Sequence, residues 1–400
     1  MPLTHTDFLQ VFQRGIKSKD RRGIGIEKEC FLYEKSTGRR LVYAQIRQIL
    51  EDFVESGYAP VFEKEFLIGC KKEGTSLSLE PGGQFEIAAK PHADLHAAFH
   101  EIQEYDTQLD VFLEKYNFFK REVGFEPLWR QEDLSWMPKG RYEIMRNYMP
   151  LKGNHGLDMM RRTCTLQANL DYTSEENMAQ MMLITNALNP LTSGLFAHSE
   201  LYEGKPSEYK SFRNFVWQDT DPDRCGLLPF AFSSMRFEDY LDYALDVPMY
   251  FVYRNGGYIN VAGASFRDFM EGKLAGFEGE YPTLDDFNDQ LTVAFPEVRL
   301  KQFVEIRGID ASPFAFASAA LFVGLLYSDK ALTHTLNLIA GWTFEKVQEQ
   351  YIRIPKGGLS TEEKVIAQEI IKIAQEGLLE RGLDEGIYLD PLCVQLKNNH

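Results

Sequence analysis

The sequence predicts an α+β protein in which antiparallel strands carry carboxylates on their polar faces and amphipathic helices fill the spaces between. Three observations predict it. Residues 76–87, Ser-Leu-Ser-Leu-Glu-Pro-Gly-Gly-Gln-Phe-Glu-Ile, set two alternating runs around Pro81-Gly82-Gly83, the mark of a turn between strands. Alternation recurs at 23–33, 160–172, 249–261 and 299–310, with acids, amides and arginines on one side and Ile, Leu and Val on the other. Segments of helical spacing separate these runs and dominate from about 313 onward.

Taken in order, residues 4–14 have helical spacing, with Phe8, Leu9 and Phe12 as an apolar stripe. The strand at 23–33 puts Glu27 and Glu29 on one face and Ile24 and Ile26 on the other. A helix over 44–56 and a strand over 60–70 lead into the hairpin, where Gln84 and Glu86 oppose Phe85 and Ile87 and Glu80 stands just before the turn. Residues 93–117 form a long helix; His92, His96 and His100 stand four apart there, and nothing else supports a metal face. Residues 125–150, rich in Pro, Trp, Met and Arg, show no period and read as a long ordered loop. Residues 160–172 read as a strand with Thr165, Gln167, Asn169 and Asp171 on one face. Thr173 and Glu176 read as a capping box opening a helix that ends before Pro190.

Residues 203–229 read as loop around Arg213, Trp217 and Arg224. A short helix over 236–245 precedes a hairpin of 249–254 and 258–261 joined at Asn255-Gly256-Gly257. The strand at 299–310 places Glu305 and Arg307 together, and the helix over 361–380 opens at the capping box Ser360/Glu363 and stops near Gly382. No repeat or linker interrupts the chain. It reads as a single large catalytic domain over 1–400, with sheet-forming motifs over about 23–310 and a mainly helical portion over about 313–400.

A chain of 400 residues that is 44% hydrophobic and 13% aromatic has ample core material. The net charge of −16 argues against nucleic acid and against anionic membrane surfaces as partners. The most apolar stretch, 313–327, is too short to span a bilayer. The five cysteines, Cys30, Cys70, Cys164, Cys225 and Cys393, are scattered and form no C-x-x-C pair, so they suggest neither a zinc site nor a disulfide framework. The first residues lack a basic segment followed by an apolar one, which leads to the expectation of a cytoplasmic protein.

If these strands share a sheet, Glu27, Glu29, Glu80, Glu86, Gln167, Asn169, Glu305 and Arg307 line one trough. Oxygen ligands without His or Cys select Mg²⁺ or Mn²⁺. Carboxylates around such an ion, with arginines beside them, suit the clamping of ATP phosphates. Lys71 and Lys72 are further candidates for phosphate contact. No phosphate-binding G-x-x-x-x-G-K-[ST] loop, kinase-type glycine loop or G-x-S-x-G elbow is present. A two-carboxylate hydrolase would account for Glu80 and Glu86 but leave Glu305, Arg307 and Arg213 without a task.

Six blocks together carry a resemblance: SLEPGGQFEI (78–87), MPKGRYEIMRNYMP (137–150), LDMMRRTCTLQANLDY (157–172), TDPDRCGLLPF (220–230), YALDVPMYFVYR (243–254) and FPEVRLKQFVEIRGID (295–310). In this order they resemble glutamate–cysteine ligases of the plant and proteobacterial type, within the glutamine-synthetase-like superfamily. The resemblance implies a curved, mostly antiparallel sheet with helices packed on its convex side. It also implies the first step of glutathione biosynthesis: ATP and Mg²⁺ activate the γ-carboxylate of L-glutamate as an acyl phosphate, which the amine of L-cysteine attacks. It assigns Glu27, Glu29, Glu80, Glu86 and Glu305 to metal, with Asn169 at a position where some relatives place a metal-binding histidine. Arg307 is assigned to ATP phosphate and Arg213 to the substrate glutamate, with Thr165 and Gln167 lining its pocket. Tyr250, Tyr253 and Arg254 fall near the acceptor site. A superfamily ligase with another acceptor amine is the neighbouring alternative.

Overall fold

The alternating segments become strands in the computed structural model, which describes residues 2–392; Cys393 lies outside the described residues. In chain order the strands used below are β1 (Ile24–Glu34), β2 (Ala59–Glu63), β3 (Phe66–Lys72), β4 (Thr75–Leu79), β5 (Phe85–Ala88), β6 (Phe118–Arg121) and β7 (Leu166–Leu170). They continue with β8 (Phe251–Arg254), β9 (Gly257–Asn260), β10 (Val298–Leu300) and β11 (Val304–Ile306). All but β8 and β9 join one sheet in the order β10-β11-β7-β1-β5-β4-β3-β2, with β6 on the far end of β1. Every pairing within it is antiparallel. β8 and β9 form a separate ribbon.

Eight helices bear on the argument: α1 (Tyr43–Glu55), α2 (Leu95–Lys115), α3 (Gly140–Tyr148), α4 (Gly156–Arg162), α5 (Glu175–Leu195), α6 (Phe212–Gln218), α7 (Phe316–Leu326) and α8 (Thr361–Arg381). One face of the sheet presents Ile24, Ile26, Phe85, Ile87, Leu166, Ala168 and Leu170, all buried. Helices α1, α2 and α7 lie against it. The ring of Phe85 stacks on Phe53 of α1 at 6.0 Å and on Tyr105 of α2 at 6.5 Å. Because side chains alternate along a strand, covering this face leaves the acids and amides on the other.

Several elements depart from the sequence reading. The strand expected over 60–70 is the hairpin β2–β3. Residues 125–150 contain α3, and 203–229 contain α6, where Ser211 caps the helix by accepting from Asn214 N–H. Residues 156–162, Gly-Leu-Asp-Met-Met-Arg-Arg, are helical and the strand starts only at Leu166. α5 is capped by Ser174 and runs through Pro190, since residues 184–193 are buried without a break and that packing outweighs one lost hydrogen bond. The segment 299–310 folds back at Lys301–Phe303 into β10 and β11, which brings Arg299 opposite Glu305.

α7 is buried along all of its length and meets α8 at two glycines. A Cβ on Gly377 would lie 1.9 Å from the carbonyl oxygen of Gly324. Gly377→Ala is expected to destabilise the protein by about 1–3 kcal/mol, the usual range for overpacking. Chemical denaturation would show this as a lower midpoint at unchanged slope; an unchanged midpoint would refute the close crossing.

Candidate active site

The register writes the polar face out in rows. Gln167 lies opposite Glu27, Glu29 opposite Glu86, Glu86 opposite Ser78, and Glu305 opposite Asn169. Directly opposed residues in an antiparallel pair sit about 4.5–5.5 Å apart at Cα, so Glu29 and Glu86 confront each other. Lys28, between Glu27 and Glu29, points the other way and pairs with Asp106 and, at 2.9 Å, with Glu122. It therefore leaves the two acids beside it uncompensated. Glu80 joins them from the hairpin turn, where Gly83 has φ 76° and a Cβ on Gly82 would lie 2.5 Å from the Arg161 carbonyl oxygen. Gln84 ties that turn to α4 by donating to the carbonyls of Met160 and Thr163.

Glu27 accepts from Asn169 Nδ2 at 2.8 Å, Glu29 from the Thr165 N–H at 3.0 Å, and Glu86 from Ser78 Oγ at 3.1 Å. Among the described residues none of Glu27, Glu29, Glu80 and Glu86 forms an ion pair. The electrostatic result is a pile-up of like charge. Burial, followed by the charges of Glu86 and Glu80, pushes the Glu29 carboxyl well above the carboxylate range. Burial, with Glu80 and Glu27, pushes Glu86 up to about 8. Asn169 Oδ1 is buried beside them with no partner. Four hard carboxylates and one orphaned amide oxygen are the donor set Mg²⁺ or Mn²⁺ takes. Among the described residues no three acidic, His or Cys side chains converge on one point, so an ion here would draw the side chains inward.

Glu305, expected from the sequence as a metal ligand, has different surroundings. It is fully buried; its Oε1 accepts from Arg299 Nη2 at 2.6 Å and from Arg307 Nη1, and its Oε2 lies 2.9 Å from Lys301 Nζ. These three cations overcome burial and hold its carboxyl well below the usual range. A divalent ion would meet three positive charges before it met the carboxylate. Glu305 instead orients Arg307, whose Nη1 also donates to Gln167 Oε1 at 2.9 Å.

A cavity of about 90 Å³ is lined by Glu29, Glu80, Arg141, Gln167, Arg213 and Arg307. Arg213 is buried and donates from Nη2 to the Arg307 carbonyl at 2.8 Å. Thr165 also lines it, its hydroxyl donating to the Ile309 carbonyl at 2.6 Å. Lys71 shares the polar face, opposite Ser76 in β4. Lys72 does not: it turns to the helix-covered side and sits over the Tyr58 ring, away from the cavity. The residues expected near the acceptor site do not line this cavity. Tyr250 is buried and donates to Met149 Sδ, Tyr253 is exposed against Tyr258, and Arg254 is held by Asp286 in a two-pronged ion pair at 2.6 and 3.0 Å. Their neighbour Phe251 reaches the cavity instead.

Sequence reasoning missed Arg141, Trp217 and the Met145, Met159 and Met160 wall of this cavity. For Arg141 and the methionines the signal was present in the blocks 137–150 and 157–172, where α3 and α4 had not been read as helices, and Trp217 lies on α6, in a segment read as loop. Lys139 belongs to the same group: burial pulls its ammonium down, and Glu80 is the first charge to oppose that.

Two outcomes follow from these electrostatics. Folded Glu86 keeps its proton up to about 8, whereas the unfolded chain releases it in the ordinary carboxylate range. The unfolded state therefore binds fewer protons between those limits, and this site costs stability as pH rises through them. In chelator, Glu86→Gln should unfold at a temperature that exceeds wild type by a margin growing from pH 5 to pH 8.5; a constant margin would contradict the raised carboxyl. Glu305→Gln strands three cations and should cost about 3–5 kcal/mol, as breaking a buried pair does. If saturating Mg²⁺ stabilises wild type and not this variant, Glu305 is a metal ligand after all.

Comparison with known proteins agrees with this geometry. Residues 23–372 match the model of glutamate–cysteine ligase family 2 (GCS2). The chain is 45% identical over 398 residues to "Glutamate–cysteine ligase, chloroplastic" of Nicotiana tabacum, covering 97% of this chain and 76% of that one. It is 44% identical over 398 residues to the Arabidopsis thaliana protein of the same name, with 97% and 76% covered. Its fold is similar, at TM-score 0.56 and 13% identity, to the crystal structure of glutamate–cysteine ligase from Francisella tularensis in complex with AMP, covering 96% of this chain and 82% of that one. The expectation of a cytoplasmic protein is overturned by the plant relatives, which are named chloroplastic. The chain belongs to glutamate–cysteine ligase family 2 and is an enzyme, a ligase of that family.

Proposed function

We propose that the protein joins the γ-carboxylate of L-glutamate to the amine of L-cysteine, with ATP converted to ADP and phosphate through γ-glutamyl phosphate. The observation that carries this is one cavity lined by the acids Glu29 and Glu80, with Glu27 and Glu86 beside them on the same strand face, and by the arginines Arg141, Arg213 and Arg307. A carboxylate substrate and a polyphosphate are both anionic, and their encounter needs a cation between them and cationic side chains around them.

Glu27, Glu29, Glu80 and Glu86, with Asn169 Oδ1, would hold Mg²⁺ or Mn²⁺, which supplies charge neutralisation for the transferring phosphoryl group. Arg307, fixed by Glu305 and Gln167, presents its guanidinium to phosphate oxygens at no further cost in ordering. Lys71 is placed to add charge from the edge of the face. Arg213 takes a carboxylate of glutamate, for which a planar fork of donors is suited. Gln167 lines the same pocket. Thr165 acts differently: its hydroxyl proton is committed to a main-chain carbonyl, so it holds the 307–309 segment in place. The wall of Trp217, Phe251 and the methionines keeps water from an acyl phosphate that water would destroy.

Product analysis with ATP, Mg²⁺, glutamate and a panel of amines should give γ-glutamylcysteine as the main product; a different favoured amine would reassign the acceptor. Arg213→Ala should raise KM for glutamate by about 10- to 100-fold, the loss of one charge-assisted hydrogen bond, and leave KM for ATP nearly unchanged. Equal rises in both would move Arg213 to phosphate binding.

A further inference from the structure

Behind Arg213 lies a carboxylate that no step above uses. Asp310 is fully buried, and its two oxygens accept three hydrogen bonds: Oδ1 from Ser211 Oγ at 2.9 Å, Oδ2 from Ser199 Oγ at 2.6 Å and from the His198 N–H at 2.8 Å. Neither serine ends the chain of bonds. Ser199 Oγ accepts from the Arg213 N–H at 3.2 Å. Ser211 Oγ accepts from Asn214 Nδ2 at 2.8 Å and from the Asn214 N–H at 3.1 Å. Asn214 Oδ1 then accepts from Arg213 Nη1 at 3.3 Å. Two routes thus run from one carboxylate to one arginine, the first to its main chain and the second to its guanidinium.

The direction of the bonds explains why the anchor is an acid. A hydroxyl has a single proton, and an ionised carboxylate has only lone pairs to offer. Asp310 draws both serine protons toward itself, which turns the serine lone pairs toward the N–H groups of Asn214 and Arg213. An amide at this position would present protons of its own and force at least one hydroxyl to reverse. Burial pushes the Asp310 carboxyl up, and the charge of Arg213 is first among the effects that oppose it.

We propose that Asp310 is a positioning residue for glutamate recognition, fixing the Arg213 guanidinium through Ser211 and Asn214 and its main chain through Ser199. The proposal rests on the reading that Arg213 holds the substrate glutamate. Since a bound carboxylate is recognised by a fork of fixed geometry, loss of the anchor weakens that recognition without touching the four acids.

Initial rates across glutamate and ATP concentrations test it. Asp310→Asn should raise KM for glutamate about tenfold with KM for ATP within about twofold of wild type, and in an Arg213→Ala background it should add no further rise, because it acts through that side chain. Ser211→Ala should shift KM for glutamate the same way and by less, and it carries the test if Asp310→Asn does not fold. Equal rises in both KM values, a full additional rise in the Arg213→Ala background, or an unchanged glutamate KM in Asp310→Asn and Ser211→Ala alike overturns the proposal. If Arg213→Ala alone leaves the glutamate KM unchanged, the reading beneath it falls instead, and that single variant tells the two failures apart.

Discussion

Four carboxylates forced together on adjacent strands constrain the rest of this molecule. Glu27 and Glu29 sit on the central strand, Glu86 stands directly across from Glu29, and Glu80 closes in from the turn. Burying one charge is costly, and burying several of one sign is tolerated only if protons or a cation intervene. Among the described residues neither lysine nor arginine forms an ion pair with them; the lysine between Glu27 and Glu29 is spent on the opposite face. The fold holds an electrostatic deficit open at one place, a feature expected of sites that bind ions rather than of cores.

The same sheet contains the opposite solution two strands away, on β11. Glu305 is buried more completely than Glu29, yet its carboxyl moves down where that of Glu29 moves up. The difference is company: Arg299, Lys301 and Arg307 surround one, and other acids surround the other. Acids of one residue type on one face therefore divide into structural anchors and ligands according to their neighbours. Arg307 lies at the boundary, paired with Glu305 and facing the cavity. Asp310 repeats the anchoring device through serines and Asn214 one layer back from Arg213.

Much of this was legible from residue order. The period of two in β1, β5 and β11 named the polar face correctly, because covering one side of a strand leaves no freedom about the other. The helices α2 and α8, long and well capped, fell within about two residues of their expected ends. The segments 125–150 and 156–162 were misread for a local reason. Their helices are short, and their apolar residues face a cavity wall as well as a core.

The chain by itself determined which residues are acidic, which alternate, and which face each strand must bury; periodicity and the hydrophobic effect are enough for that. It did not determine which acid meets which cation. Glu305 and Glu29 look alike on their strands, and only the pairing of β10 with β11 brings Arg299 to the first and that of β1 with β5 brings Glu86 to the second. Electrostatic role depends on distances between residues remote in sequence, and those distances exist only once the sheet has closed its register.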